Sequence, residues 1–307
     1  MLLRRAVTAN LKDPRAYSSN FRMASTLTLP DSRALTYALD ATPEDGPVII
    51  LSNSLCAPFG VWDHVVAILN TNGFRTLRYN QPGHGGSSAP KELNTTFDSM
   101  ADDVNHLLES LELRKVHSWI GVSMGAAAGI YFTTKFPNTV GKLAICDTIS
   151  ASPINAGVQD LFGPRVAAAR EAGNLDATLN GSRERWFGKA WLEKNPRETQ
   201  RLRAIMSETS VDGLETCCNA LTAKSFDLRP RFDKIGASVD DAICIVGEKD
   251  ANLPQTMADM RDEIEAGFRE AGKNNRIDLV VIKNAGHVCF VDGLVQFTST
   301  ILGWLKG

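Results

Sequence analysis

The pentapeptide Gly121-Val122-Ser123-Met124-Gly125 constrains this chain more than any other stretch. The apolar run 116–122 before it suits a buried strand. The small residues from Ala126 onward predict a helix that stops at Phe136-Pro137. Strand, G-x-S-x-G, helix is the setting in which this motif becomes a nucleophile elbow, a sharp and strained turn that exposes the serine hydroxyl. Gly121 and Gly125 carry no side chain, so strand and helix can approach closely on both sides of Ser123. Taken alone the motif also fits a small-residue helix start; its flanks favour the elbow.

At 307 residues the chain can bury a sizeable core, as one large domain or one domain with an insertion. Its 33 basic and 35 acidic residues leave a net charge of −2, which gives no footprint for nucleic acid or a membrane surface. No apolar run reaches the ~18 residues of a membrane span. Cys56, Cys146, Cys217, Cys218, Cys244 and Cys289 form no CxxC pattern and mostly sit in apolar runs. They predict a reduced, cytoplasmic protein without a zinc site. Residues 1–22 carry Arg4, Arg5, Lys12, Arg15 and Arg22 against the single acid Asp13. That composition reads as an N-terminal extension, disordered or preceding a true start at Met23; the alternative is a mitochondrial transit peptide.

Hydrophobic periodicity predicts strands over 26–29, 35–39, 48–51, 74–79, 116–122 and 142–146, with helices over 61–69 and 97–111. Such alternation implies a parallel sheet covered on both faces. It stops over 150–236, a stretch of helical texture holding Trp186 and Trp191. It resumes with a strand over 242–246, a helix over 255–271, a strand over 277–282 and a helix over 294–305. The expected organisation is an α/β core made of 23–149 and 236–307, with 150–235 as a helical cap over one end of the sheet.

A serine hydroxyl is a poor nucleophile at neutral pH and needs a base within hydrogen-bond reach, itself oriented by an acid. His287, in a loop just past the last strand, is the expected base. His84 lies in the Gly-rich turn 81–87 and is expected to stabilise it; His117 starts the elbow strand, at the far end from an active edge; His64 and His106 lie on helices. Two acids compete to orient His287: Asp250, beyond the strand 242–246, and Asp147, beyond the strand 142–146. Both preserve the order Ser, Asp, His and both lie past carboxyl ends of strands, where open α/β sheets build their sites. Oxyanion donors are expected at the backbone N–H of Met124 and in the loop 52–55, with Ser54 first and Leu55 second. Trp186 either faces the pocket or packs inside the cap.

The runs LSNSLCAPFGVWDHVV, YNQPGHGGSS, GVSMGAAAGIYFTTKFPNTV, RERWFGKAW and DGLETCCNALTAKSFDL, with the terminal AGH, resemble the α/β-hydrolase superfamily and within it the 3-oxoadipate enol-lactonase family. The likeness spans about 24–307. It implies an α/β-hydrolase fold with a helical cap, and Ser123, Asp250 and His287 match the catalytic triad positions. The chain departs from the family at Gln81-Pro82, where an Arg is more usual, at Cys56 for Gly, and at Asp147-Thr148 for Asn-Thr. The segment between Asp250 and His287 is also longer. The resemblance implies hydrolysis of a small-molecule carboxylic ester, foremost a lactone, with no metal or organic cofactor. The alternatives are a general carboxylesterase, a carbon–carbon bond hydrolase on the same triad, and a ligand-binding receptor that keeps the hydrolase shell.

Overall fold

In a computed structural model describing residues 24–40 and 43–307, eight strands form one sheet. They are β1 (Ser25–Thr28), β2 (Ala34–Leu39), β3 (Val48–Ser52), β4 (Arg75–Tyr79), β5 (Val116–Val122), β6 (Val140–Cys146), β7 (Asp241–Gly247) and β8 (Asp278–Ile282), in the order β1-β2-β4-β3-β5-β6-β7-β8. The β1–β2 and β2–β4 pairs are antiparallel and all later pairs are parallel. The extension expected over 1–22 and the start at Met23 lie outside the described residues.

Parallel neighbours cannot be joined by a tight hairpin, so helices carry the crossovers, and two more helices follow β8. These are α1 (Asp63–Thr71), α2 (Phe97–Ser110), α3 (Met124–Lys135), α4 (Pro153–Ala156), α5 (Gly163–Ala172), α6 (Asp176–Phe187), α7 (Lys189–Lys194), α8 (Pro196–Met206), α9 (Val211–Thr222), α10 (Phe232–Ser238), α11 (Leu253–Glu270), α12 (Cys289–Asp292) and α13 (Leu294–Lys306). Side chains alternate across each strand. Ile49, Leu51, Ile120, Val122, Ile243 and Ile245 therefore pack with Val65 and Leu69 of α1 and Phe297 and Ile301 of α13. Ile50, Trp119, Ile145 and Val246 pack on the opposite face with α2, α3, α10 and α11. The helix expected from residue 61 begins at Asp63, because Phe59–Trp62 winds more tightly as a 3-10 turn.

Between β6 and β7 the chain leaves the sheet through α4–α9. Its punctuation explains this texture: Pro153, Pro164 and Pro196 stand in the first turns of α4, α5 and α8, while Gly157 (φ 68°) and Gly173 (φ 67°) end α4 and α5 in the left-handed conformation. The excursion starts and finishes at one place. Ser152 N donates to Phe226 O at 2.9 Å and Leu228 N to Ser150 O at 2.7 Å, making a narrow neck around Ala151 and Asp227. It also rests on the Gly-rich turn, where Gly85 N donates to Glu208 O (3.0 Å) and Ser210 N to Gly83 O (3.0 Å).

Packing around the start of α3 leaves no spare room. A Cβ placed on Gly121 would meet the Gly125 carbonyl oxygen at 2.3 Å, and one on Gly125 would meet Ser52 O at 2.3 Å. Both obstacles are backbone and cannot swing aside. Gly121→Ala is therefore expected to cost about 3 kcal/mol or more of stability, the upper range for overpacking. Denaturant unfolding of the purified variant measures this; a midpoint equal to wild type would show that β5 and α3 can separate freely.

Candidate active site

Ser123 occupies the turn between β5 and α3 with φ 55° and ψ −118°, a conformation L-residues avoid at a cost of order 1–3 kcal/mol. Its backbone is held from both sides. Ser123 N donates to Cys146 O at 2.8 Å, while Ser123 O accepts from Ala126 N (3.0 Å), Ala127 N (3.1 Å) and the Thr148 hydroxyl (2.9 Å). The bonds to the neighbouring strand and the first turn of α3 keep the strained residue in place.

His287 follows β8 and meets Asp250, which follows β7. The Nδ1–H of His287 donates to Asp250 Oδ2 at 2.7 Å, so the carboxylate fixes the tautomer and leaves Nε2 as the acceptor. His287 N donates to Trp186 O at 3.2 Å, so the α6 helix also holds the histidine loop. The loop comes so close there that only a glycine fits at 286: an added Cβ would lie 1.8 Å from Trp186 O. Gly286 N donates to Asp292 Oδ2 at 2.8 Å, and burial pushes that carboxyl up to about 6. Asp147 lies elsewhere in this arrangement. It is fully buried, its Oδ1 accepts from Gly247 N at 2.7 Å, and Thr148 beside it bonds Ser123 O instead of the carboxylate.

Ser123, Asp250 and His287 line one cavity of about 690 Å³ together with Ser54, Leu55 and Met124. Among the described residues the Ser123 hydroxyl makes no direct hydrogen bond to His287, a contact that in ligand-free sites often tightens only with substrate bound. Met124 opens α3, so its N–H has no carbonyl four residues back to bond. In the facing loop Cys56 commits its N–H to His84 Nε2 (2.9 Å) and Ala57 to Ser54 O (3.2 Å). Ser54 and Leu55 commit theirs to no other group among the described residues, and the buried Ser54 hydroxyl has no partner there. These are the amides and the hydroxyl an oxyanion could use.

The loop carrying them is fixed by buried polar groups. Gln81 Nε2 donates to Asn53 O at 2.5 Å, Asn53 Nδ2 to Tyr79 O at 2.8 Å, and Trp62 Nε1 to Asn53 Oδ1 at 2.9 Å. His84 Nδ1–H donates to Pro82 O at 2.9 Å, which leaves Nε2 to accept from Cys56. Thus Gln81, a departure from the resembled family, clamps the loop, and His84 ties the Gly-rich turn to it.

Trp186 is both things the sequence left open: 3% exposed, and part of the cavity wall, with its ring 5.8 Å from that of His287. Two residues that sequence reasoning passed over stand in the same wall. Arg165 of α5 and Arg185 of α6 have no acidic partner within salt-bridge distance among the described residues. Burial first, and then Arg165, lower the proton affinity of Arg185, so the two guanidinium groups sense each other. Their only signal in the sequence was Arg185 beside Trp186 in the RERWF run. Among the described residues no cluster of His, Cys, Asp or Glu could hold a metal ion, and no helix is long and apolar enough to cross a membrane.

Residues 47–294 match the family profile described as alpha/beta hydrolase fold. The chain is 30% identical over 269 residues to 3-oxoadipate enol-lactonase 1 of Acinetobacter baylyi, covering 86% of this chain and 90% of that protein. It is 29% identical over 230 residues to 3-oxoadipate enol-lactonase 2 of the same organism, covering 75% and 80%. Among solved structures it resembles the enol-lactonase from Burkholderia xenovorans LB400, with a TM-score of 0.77 and 26% identity over 92% of this chain and 100% of that one.

The His84 clamp has a pH signature. Burial holds this imidazole down at about 4, against an ordinary 6.5. The unfolded chain therefore takes up a proton that the native state refuses, and stability falls as pH drops from 6.5 toward about 4. His84→Gln keeps an acceptor for Cys56 N but cannot titrate. The stability difference between wild type and this variant should change by about 3 kcal/mol across that window, in the direction of relative loss for wild type at low pH. Chemical denaturation at a series of pH values tests it; a constant difference would show that His84 titrates normally.

Proposed function

This chain belongs to the α/β-hydrolase family, and from that premise we propose that it is a serine hydrolase of carboxylic esters, with a lactone as its substrate. The observation that carries the reading is one cavity lined by a serine in a strained elbow and by a histidine bonded to a carboxylate. Ser123 attacks the carbonyl while His287 Nε2 takes its proton. Asp250 keeps the imidazole in the right tautomer and stabilises its cation. The amides of Met124 and of Ser54 or Leu55 receive the developing oxyanion. Opening of a lactone leaves the departing oxygen tethered within the acyl-enzyme, and water activated by His287 releases the acid. If the leaving oxygen is an enolate, it departs more readily than an alkoxide, and its tautomerisation to a ketone draws the reaction forward.

The lactone assignment draws on the two enol-lactonase relatives and on the arginines. Arg165 and Arg185 put positive charge on the cavity wall, and among the described residues neither is within salt-bridge distance of an acid, Asp250 acting on Arg185 only from farther off; this suits a substrate carboxylate. Helices α4–α9 and the turns between them act as a cap that supplies nearly half of this wall, and Trp186 joins the cap to the catalytic histidine. The buried, unpaired state of all six cysteines fits the reduced, cytoplasmic setting. The size of the cavity, about 690 Å³, supports a second reading, an esterase for a larger and more apolar ester. Val158 and Leu161, 62% and 56% exposed, would meet such a tail at the cavity wall.

Two experiments test these assignments. A serine-reactive phosphonate should label the protein once, at Ser123, and Ser123→Ala should be inactive yet folded. Asp250→Asn should lose about 10⁴-fold in kcat, near 5 kcal/mol of transition-state stabilisation, while Asp147→Asn should lose far less. Labelling at another residue, or an active Ser123→Ala protein, rejects the nucleophile. A crippled Asp147→Asn beside a normal Asp250→Asn moves the acid to the earlier strand.

For the arginines the informative quantity is a ratio. Arg185→Met should lower kcat/KM for a carboxylate-bearing lactone, relative to an uncharged lactone of similar size, by roughly 10- to 100-fold, the worth of one charged hydrogen bond. An unchanged ratio assigns the cavity to neutral esters.

A further inference from the structure

Asp147 is a carboxyl group in a place where a carboxylate has little to sustain it. It lies just past β6 at φ 45° with 0% exposure. Its N–H donates to Ile245 O (3.1 Å) and its Oδ1 accepts from Gly247 N (2.7 Å); its Oδ2 makes no well-formed hydrogen bond among the described residues, although the Cys289 N–H and thiol lie near enough to favour the carboxylate. The groups facing it are the Asp250 carboxylate from the loop after β7, the Cys146 thiol from β6 and the Cys289 thiol from α12. Cys244 of β7 stands behind Cys146, and Asp292 of α12 behind Cys289. No lysine, arginine or histidine pairs with Asp147 among the described residues. Two amides and a thiol favour the carboxylate, but full burial, a second carboxylate nearby and the lack of a paired cation outweigh them and favour the protonated form.

The bond it does make bears on the site. Gly247 ends β7, and Asp250 N donates to Gly247 O at 3.1 Å, so the turn that carries the acid begins where Asp147 grips the backbone. We propose that Asp147 is a positioning residue that works as a neutral carboxylic acid, pinning the root of the Asp250 turn without placing a second negative charge beside the Asp250–His287 pair. This rests on the serine-hydrolase reading above. The proton matters because a second carboxylate so close would raise the proton affinity of the imidazole. An imidazole already protonated at neutral pH cannot accept the proton of Ser123. As a neutral acid, Asp147 offers one acceptor and one donor, as an asparagine would.

Burial, and then the charge of Asp250, hold the Asp147 carboxyl well above its ordinary 3.8. A group raised in this way weakens the native state as pH climbs past the ordinary value, because only the unfolded chain releases the proton. Asp147→Asn removes that penalty. Its melting temperature should exceed that of wild type by a margin that grows from about pH 4 to about pH 7, while the midpoint of the acid limb of kcat/KM stays where wild type has it. Asp147→Ala, which loses the grip on Gly247, should lower kcat roughly tenfold or more with KM little changed.

An acid limb that moves down in Asp147→Asn by about one pH unit would show that wild type carries a charge there, and would overturn the proposal. A stability margin that shrinks with pH would do the same. So would an Asp147→Asn protein that fails to fold, since a neutral acid and an amide must be interchangeable at this site. The melting arm needs no turnover. If Ser123→Ala proves active, the serine-hydrolase reading falls on its own evidence, while the melting arm still reports whether Asp147 holds its proton.

Discussion

The contact on which this structure depends is the one between three backbones: β3 at Ser52, β5 at Gly121 and the first turn of α3 at Gly125. The helix begins so close to the sheet that there is no room for a single methyl group at either glycine. This closeness forces Ser123 into its strained turn, sets the open N–H groups of α3 at the carboxyl edge of the sheet, and brings the 52–56 loop opposite them. The strain at one residue is offset by the core around it, where Ala126, Ala127, Ala128 and Ile130 are fully buried. The geometry proposed for catalysis is thus a by-product of how tightly one helix lies on one strand.

The fold was legible because its signals are local and repeated. Apolar runs such as Val48–Ser52 and Asp241–Gly247 are buried almost throughout, as central parallel strands must be, and α1, α2, α11 and α13 show the wider spacing of half-buried helices. The elbow could be read for the same reason, since motif, strand and helix are contiguous. Position along the chain left Asp250 and Asp147 in competition, and the family resemblance tipped the choice to Asp250. Both follow strands at the same edge of the sheet, and which carboxylate meets His287 depends on the course of two turns that share no sequence neighbourhood. Trp186 was open for a different reason: on a thin layer of helices a side chain can be buried and still line a cavity.

Arg165 and Arg185 show the limit of such reading most plainly. They lie on α5 and α6, which also carry Arg170 and Arg183, and nothing in composition separates a guanidinium turned toward a cavity from one turned toward solvent. Arg170, for instance, pairs with Asp212 and Glu215 on α9. Only the three-dimensional structure sets Arg165 and Arg185 in the cavity wall. His84 is the intermediate case. Its place in a Gly-rich turn pointed to a structural role, but the group it serves, the Cys56 amide, lies 28 positions earlier in the chain.

The neck at Ala151 and Asp227 has a consequence for how such a protein can diversify. All of α4–α9 hangs from two chain segments that meet each other, so its length and composition can change without disturbing the register of β6 on β7. The cost of closing the loop grows only slowly with its length, which makes insertions and losses there tolerable in a way they are not elsewhere in the sheet. Selection can therefore act on the wall of the cavity and on the serine–histidine–aspartate edge almost as two separate genes. The exceptions are Trp186, whose carbonyl holds the His287 loop, and the Gly83–Ser210 seam. Those are the points at which an exchanged set of helices would have to be fitted to the old sheet, and they set the terms on which a new substrate could be acquired.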